Sequence, residues 1–194
     1  YGLRETTRVI IENVPYFGIN PSTQIAAGAC LAMALAHYDP DLDHAQIQSL
    51  YQHAFASREF YTWYISRHNL AEDVRNTVYA CMQYIVEEMF PDFECGIVTT
   101  SVSKIAFSYP KRRILAIIHG RFPVGASSAP NTILIRGYVD DYFAVNDPRG
   151  NLNSGYADRF GANQLYTTDD IQRFCGDERG EITIFRLSRK STTV

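Results

Sequence analysis

The sequence has no apolar run that is long enough to cross a lipid bilayer. A membrane-spanning helix needs about 20 consecutive, mostly apolar residues. The longest apolar runs in this chain, Ala26–Ala36 and Ile114–Ile118, are much shorter. We therefore predict that no segment of the chain spans a membrane.

The chain also lacks the surplus of positive charge that nucleic-acid-binding proteins carry. Lys and Arg number 18, Asp and Glu number 21, and the formal net charge is -3. A protein that binds the phosphate backbone usually has a basic surface and a basic surplus in its composition. The charge balance thus argues against nucleic acid as a partner.

The sequence shows no pattern of a metal site. No cysteine forms a CxxC pair, and no Cys/His cluster has the spacing of zinc ligands. The cysteines are Cys30, Cys81, Cys95 and Cys175. Cys30 and Cys81 fall on apolar helix faces, which favours buried free thiols, while the disulfide state of the four stays open. We predict no metal and no other cofactor.

What is present is the composition of one globular domain. The chain has 194 residues, of which 46% are hydrophobic and 20% are charged. A chain of this length and composition forms a domain with a sizeable core. Aromatic residues reach 13%, with 13 Tyr and 11 Phe, and such residues are enriched in contact surfaces and grooves. We expect residues 1–194 to form a single domain with other protein chains as partners.

The first half of the chain has the pattern of helices. Apolar residues recur with helical spacing between turn residues. The predicted helices are Ile25–Tyr38, Asp43–Phe55, a helix from Asn69 to about Phe90, and Ser101–Ser108. Ile25–Tyr38 is apolar on every side, which is typical of a buried central helix. Asn69 and Glu72 predict a capping box, Pro110 is expected to end the fourth helix, and Glu59–Ser66 is ambiguous.

The second half has the pattern of strands. The predicted strands are Arg113–His119, Thr132–Val139, Tyr142–Asn146 and Glu181–Ser188. Asp140-Asp141 predicts a hairpin turn, and Thr168 is expected to cap a short helix that ends at Cys175. Arg8–Asn13 reads as a short extended piece. This order predicts an α+β fold with a helical half, about 1–110, and a sheet half, about 111–194.

Two segments resemble a known family. In Tyr16–Tyr38 the helix contains Leu31-Ala32-Met33, and in Asn131–Asn151 one strand ends in Gly137-Tyr138 and the next is followed by Asp147-Pro148. Together these segments resemble the papain-like cysteine peptidases, in the double-glycine, bacteriocin-processing branch of bacteria and tailed phages. The later Gly150-Asn151 and Gly155-Tyr156 resemble the phage-associated members. The resemblance implies a papain-like fold, with a buried helix packed on an antiparallel sheet and a groove between the two halves.

The resemblance also implies a catalytic site, and this chain departs from it. In the family a Cys at the start of the buried helix attacks the substrate, a His activates it, an Asp or Asn orients the His, and a Gln donates to the oxyanion. Counted from the matching motifs, the Cys position falls on Ala26, the His position on Asn131 and the Gln position on Ile19. Asp147 alone is retained, and a shift in the loop moves Gln24 into the oxyanion role. These replacements predict that the chain is not an active peptidase.

Three functions follow as hypotheses. The first is a structural or partner-binding domain that holds a peptide in its groove, in a phage virion or a secreted bacterial assembly; the setting is implied by the resemblance alone. The second is an active peptidase or amidase that uses Cys30 with His119, or that has Cys at position 26 in its wild-type form. The third is a glycan- or peptide-binding platform made of the aromatic cluster Phe60, Tyr61, Trp63 and Tyr64.

Overall fold

The first half of the chain folds mainly into helices. The computed structural model describes residues 7–68 and 74–191, except the side chains of residues 74–76, so the predicted capping box of Asn69 and Glu72 lies outside the described residues. The helices are α1 (Ala26–Tyr38), α2 (His44–Phe55), α3 (Arg58–Arg67) and α4 (Val74–Met89). Asp43 caps α2 by accepting the N–H groups of Ala45 and Gln46, and the hydroxyl of Ser57 caps α3. The ambiguous segment Glu59–Ser66 is therefore part of a helix.

Helix α1 is the buried central helix that the sequence predicts. All of its residues from Ala27 to Ala36 are buried, because α1 packs against α2 on one side and against the sheet on the other. An apolar surface on every side is what such a position requires. The start of α1, where the resemblance puts the nucleophile, is thus supported by a rigid core.

The strands form one antiparallel sheet, in which their spatial order differs from their order along the chain. They are β1 (Arg8–Ile10), β2 (Phe93–Ser101), β3 (Leu115–Val124), β4 (Ser127–Val139), β5 (Tyr142–Asn146), β6 (Gln164–Thr167) and β7 (Glu181–Arg189). Their order is β2-β7-β3-β4-β5-β6, and β1 pairs with β4. Asp140 and Asp141 form the predicted hairpin turn with φ of 46° and 70°, values that suit the twist of paired strands. The α+β fold class is confirmed.

Both faces of the sheet are covered. Leu115, Ile117 and Leu134 belong to the core under α1 to α4, whereas the alternate residues Ala116 and Ile118 belong to a second core. The second core includes residues of a π-helical turn (Lys104–Ser108), of α5 (Tyr109–Lys111) and of α6 (Thr168–Cys175). Because successive strand residues point to opposite faces, the register decides which polar side chains meet α1.

Several predicted boundaries are wrong in detail. β1 and β2 lie within the first 110 residues but belong to the sheet, so the helical half is not purely helical. The helical segment predicted as Ser101–Ser108 covers residues 102–111 and continues through Pro110, because Pro fits the first turn of a helix. Thr167, not Thr168, caps α6 by accepting the N–H of Asp170.

Candidate functional site

Asp147 is the centre of a buried hydrogen-bond network directly after β5. Each oxygen of its buried carboxylate accepts two hydrogen bonds. Oδ1 accepts from Nδ2 of Asn131 at 3.0 Å and from the backbone N–H of Arg149 at 3.0 Å. Oδ2 accepts from the hydroxyl groups of Tyr156 at 3.0 Å and Tyr166 at 2.8 Å. Donors from three separate segments of the chain thus fix the orientation of this carboxylate.

The network changes the acidity of its members. Burial raises the pKa of Asp147 above its usual value of 3.8, although the hydrogen bonds from Asn131, Tyr166, Arg149 and Tyr156 act in the opposite direction. Burial and the charge of Asp147 raise the pKa of Tyr156 and of Tyr166 well above 10.0. Both tyrosines therefore stay neutral and act as hydrogen-bond donors.

Asn131 is the predicted counterpart of the catalytic His, and it contacts the residue predicted to orient that His. Its side chain is 1% exposed, and Nδ2 donates to Asp147 and to the hydroxyl of Tyr156 at 3.2 Å. Its Oδ1 is buried and has no hydrogen-bond partner in the described part of the chain. A neutral amide donates a hydrogen bond to Asp147 as an imidazole N–H would, but it does not accept a proton at neutral pH.

The loop before α1 is tied to the same region. The hydroxyl of Tyr16 donates to the carbonyl oxygen of Asp147 at 3.0 Å, and the backbone N–H of Ile19 donates to the carbonyl oxygen of Pro148 at 2.9 Å. Ile19, where the resemblance puts the oxyanion Gln, therefore lies beside Asp147-Pro148. Its side chain is apolar and its N–H is already used, so neither group is available to an oxyanion.

Gln24 has a local role in this loop. Its side-chain Oε1 accepts the backbone N–H of Asn20 at 2.7 Å, and its own N–H donates to the carbonyl oxygen of Asn20 at 2.9 Å. The side chain is exposed and closes the turn that leads into α1. The structure thus gives Gln24 a clear turn-stabilising contact.

Helix α1 runs alongside β4. The thiol of Cys30 donates to the carbonyl oxygen of Thr132 at 3.3 Å, and one turn later Met33 Sδ lies 3.8 Å from Nδ2 of Asn146. Asn146 pairs with Leu134 of β4. Ala26, the first residue of α1, lies one turn before Cys30, so the start of the helix is directed toward the Asn131 end of the strand.

The side chains of Asn131 and Thr132 lie on opposite faces of β4. Asn131 pairs with Gly120, and its partner Tyr156 belongs to the second core, on the face away from α1. Thr132 pairs with His119 on the face that α1 covers, and His119 Nδ1 lies 2.8 Å from the hydroxyl of Thr132. The direct contact between Asn131 and Asp147 agrees with the resemblance, whereas the side chains that face α1 at this level are Thr132 and His119.

The alternative pair Cys30 and His119 does not have the properties of a catalytic couple. Cys30 is 0% exposed, and burial raises the pKa of its thiol well above the usual 9.0. A reactive cysteine needs an accessible thiolate with a lowered pKa. The thiol of Cys30 is hydrogen-bonded to the carbonyl of Thr132, and the ring of His119 lies against its hydroxyl. Cys30 is therefore a buried packing thiol, as its apolar helix face suggests.

The predicted aromatic platform is mostly interior. Phe60 is 0% and Tyr64 is 5% exposed, and both belong to the core under the helices, so their proposal as groove residues is wrong. Trp63 is half-buried and has the guanidinium of Arg67 4.9 Å from its ring centroid. Tyr61 is 40% exposed. One exposed ring does not make a stacking platform for a sugar.

A pocket of about 560 Å³ lies beside the Asp147 network, and we call it the arginine pocket. It is lined by the loop residues 19–22, by Val124, and by Arg149, Gly155, Tyr156 and Arg159. Tyr156 belongs to both the pocket and the network, so the two are contiguous. Another pocket, of about 680 Å³, lies near His37 at the far end of α1 and shares no residue with this network.

Sequence reasoning missed three contributors to the site. Tyr166 is 19 residues beyond Asp147, and no local motif marks it. Arg149 and Thr132 stand inside the segment that carries the resemblance but match no catalytic position. Tyr156, by contrast, was marked in the sequence, because Gly155-Tyr156 is one of the pairs that resemble the phage-associated members of the family.

No group of three metal-ligating side chains occurs within residues 7–68 and 74–191. Over the same ranges, no helix combines the length and the apolar character that a membrane crossing needs. The described cysteines are all free thiols.

The fold is similar to that of known peptidase domains. The peptidase domain of Streptococcus ComA, a bi-functional ABC transporter involved in quorum sensing, superposes with a TM-score of 0.52 and 13% identity, covering 90% of this chain and 97% of that domain. A double glycine motif protease from an AMS/PCAT transporter, solved in complex with the leader peptide, superposes with a TM-score of 0.47 and 17% identity. The match covers 91% of this chain and 93% of that chain. A C39-like peptidase from Bacillus anthracis superposes with a TM-score of 0.39 and 11% identity. The match covers 95% of this chain and 98% of that chain.

The sequence matches no family model and no curated protein. The structural similarity therefore rests on the course of the chain, and it agrees with the resemblance of the two sequence segments. This chain has a papain-like α+β fold, which it shares with the peptidase domain of Streptococcus ComA.

Proposed function

We propose that this domain is a non-catalytic relative of these peptidases that binds a peptide or protein partner beside the Asp147 network. The observation that carries the proposal is the contact between Asn131 and Asp147, in which a buried amide makes the hydrogen bond that a catalytic His would make. An amide is not a general base, so this contact keeps the hydrogen bond between the two predicted positions without the proton-transfer chemistry.

The start of α1 supports the same reading. Its first residue is Ala26, and its N-cap residue Ile25 makes no side-chain cap. A helix N-terminus stabilises a thiolate through its dipole and its free N–H groups. Here that position has a methyl group, and Cys30 lies a full turn deeper in the core. Covalent catalysis by a thiolate therefore lacks its nucleophile.

Partner binding is supported by the surface. The arginine pocket is an open concave site directly over Tyr156, and Phe160 nearby in the sequence is 62% exposed while its ring packs edge-on against Tyr16. An exposed aromatic ring beside a pocket is a common feature of contact surfaces. A setting in a phage virion or a secreted bacterial assembly remains the prediction of the sequence resemblance.

The test is hydrolysis of a peptide library by the wild-type protein, followed by mass spectrometry. We expect no cleavage above the level of a Cys30→Ala variant. Cleavage by the wild type that disappears in Cys30→Ala would establish an active cysteine peptidase and overturn the proposal. Papain-like peptidases with an intact dyad serve as the positive control for the library.

A further inference from the structure

The arginine pocket carries an unbalanced positive charge. Arg149 and Arg159 both line it, and none of its other lining residues is acidic. In the part of the chain that the structure describes, neither arginine takes part in an ion pair. The two carboxylates closest in sequence are not among the lining residues: Asp147 is buried and accepts four hydrogen bonds, and Asp158 accepts the N–H of Phe160.

Arg149 is held in position before any ligand arrives. A terminal nitrogen of its guanidinium donates to the carbonyl oxygen of Pro130 at 3.3 Å, and its guanidinium carbon lies 5.8 Å from the ring centroid of Tyr156. Its backbone N–H is fixed by Asp147. A guanidinium that is already oriented loses little freedom when it binds, which favours affinity.

The same side chain has an unused donor. Nε of Arg149 is buried and has no hydrogen-bond partner within the described residues. Burial of an unsatisfied N–H is unfavourable, so an acceptor that reaches it gains a hydrogen bond without displacing another. The charge and the fork geometry of a guanidinium make a carboxylate or another planar anion the best acceptor.

The backbone and the side chain of Tyr156 are also held in a defined position. Its backbone lies in the left-handed region, with φ of 66°, which is strained for a bulky residue. The hydrogen bonds of its hydroxyl to Asp147 and Asn131 hold the ring in place. Strain of this kind persists when the surroundings over-determine a side-chain position, and it clusters at binding sites.

The arginine pocket also has an apolar part. Ile19, Pro21 and Val124 line the pocket together with the arginines. A site that combines guanidinium groups with an apolar wall suits a ligand with a carboxylate and a neighbouring aliphatic side chain. The C-terminal residue of a peptide has both, and a pocket of about 560 Å³ accommodates one or two residues.

We propose that the arginine pocket binds the free C-terminal carboxylate of a peptide whose last side chain is apolar. This inference rests on the proposed function, because it names the chemistry of the partner at the same site. It assigns ion pairing to Arg149 and Arg159, and side-chain contact to Ile19, Pro21 and Val124.

The test compares two ligands that differ only at the carboxylate. N-acetyl-Ala-Leu and its C-terminal amide are titrated into the isotope-labelled protein, and backbone chemical shifts are followed by NMR. We expect the acid to shift the signals of Arg149, Tyr156 and Ile19, and the amide to bind about 10- to 100-fold more weakly, as the loss of a charge-assisted hydrogen bond predicts.

Variants make the assignment specific. Arg159→Gln changes an exposed side chain and should weaken binding of the acid about tenfold or more while leaving binding of the amide unchanged. Arg149→Gln should do the same if it folds, and Arg179→Gln, an exposed arginine in another turn, should have no effect.

Other outcomes overturn the inference. Equal binding of acid and amide would show that the pocket does not select a carboxylate, while a non-catalytic partner-binding role would still stand. Inorganic phosphate that binds as tightly as the acid would show a general anion site rather than a site for a peptide end. Cleavage of the ligand would contradict the proposed function itself, so the two failures are distinguishable.

Discussion

Asn131 and Asp147 are joined by a buried hydrogen bond of 3.0 Å between the amide Nδ2 and the carboxylate Oδ1. They are 16 residues apart, Asn131 in β4 and Asp147 directly after β5, and both are hydrogen-bonded to the hydroxyl group of Tyr156. The sequence predicted both positions from one family resemblance. Under the proposed function, this contact keeps the hydrogen bond between the predicted second and third positions of a papain-like triad, with an amide that has no basicity in place of the imidazole.

The first prediction concerns the carboxylate at the centre of the network. Asp147→Asn should lower the free energy of unfolding by about 2–4 kcal/mol, because an amide nitrogen turns a donor toward donors that now have no acceptor. Urea denaturation measures this change. Asp140→Asn is the matched control, since Asp140 is exposed in a left-handed turn that Asn adopts readily. Equal stabilities for the two variants would show that the network contributes nothing.

The second prediction concerns Tyr166. Its hydroxyl donates to Asp147 at 2.8 Å and accepts the N–H of Leu152 at 3.0 Å, so Tyr166→Phe should cost about 1–3 kcal/mol of unfolding free energy. The variant should also raise the pKa of Asp147 further, because one of the hydrogen bonds that oppose the effect of burial is lost. Tyr142→Phe, which changes a 42% exposed ring, should be neutral. A neutral Tyr166→Phe would contradict the role of this hydroxyl.

The third prediction concerns pH. The folded-state pKa of Asp147 is raised above 3.8, so the folded state binds the proton more tightly than the unfolded chain does. Its contribution to stability is therefore fully present below the unfolded pKa and is lost as pH rises through the folded pKa. The difference in unfolding free energy between wild type and Asp147→Asn should shrink as pH rises above the unfolded pKa of about 4. A difference that grows with pH would mean that the hydrogen bonds outweigh burial.

The fourth prediction concerns the attachment of β1. A Cβ at Gly137 would clash with the carbonyl oxygen of Val9, because β1 pairs with β4 at this point. Gly137→Ala should therefore destabilise the protein by about 1–3 kcal/mol, the usual cost of overpacking. Gly18→Ala, whose added Cβ would lie 3.4 Å from the hydroxyl oxygen of Tyr16, is the control and should cost much less. Hydrogen exchange should show faster exchange in β1 of Gly137→Ala alone.

The fifth prediction tests whether position 26 corresponds to the nucleophile position of the family. Ala26→Cys should create a thiol that iodoacetamide modifies faster than any native cysteine, because the helix N-terminus stabilises a thiolate there. An Ala26→Cys thiol as inert as a buried one would show that position 26 does not correspond to the nucleophile.

The sequence predicted the parts of this fold that have strong local patterns. Helix α1 is a continuous apolar segment, and β4 and β5 meet at an Asp-Asp turn, so the bounds of α1 and β5 and the end of β4 were nearly right, whereas β4 begins at Ser127, before the predicted Thr132. β2 was missed because only Phe93 and Thr100 of its nine residues are buried, which weakens the alternation of apolar and polar residues that marks a strand. β6 was missed because it has four residues.

The composition of the site was only partly predictable. Asp147 and Asn131 followed from spacing within a motif, and Arg149 contacts the carboxylate through its own backbone N–H two residues along the chain, but Tyr166 reaches the carboxylate through tertiary structure. The face on which Thr132 and His119 meet α1 depends on strand register, which spacing alone does not give. The burial of Phe60 and Tyr64 depends likewise on how α3 packs against the core.

The most direct measurement for the central claim is the rate at which iodoacetamide modifies Cys30 in the native wild-type protein. Since this thiol is fully buried and its pKa is raised well above 9.0, modification should occur only as fast as the protein unfolds and should speed up in denaturant. Rapid modification of Cys30 in the native state, faster than that of a free thiol, would show an activated nucleophile and contradict the account.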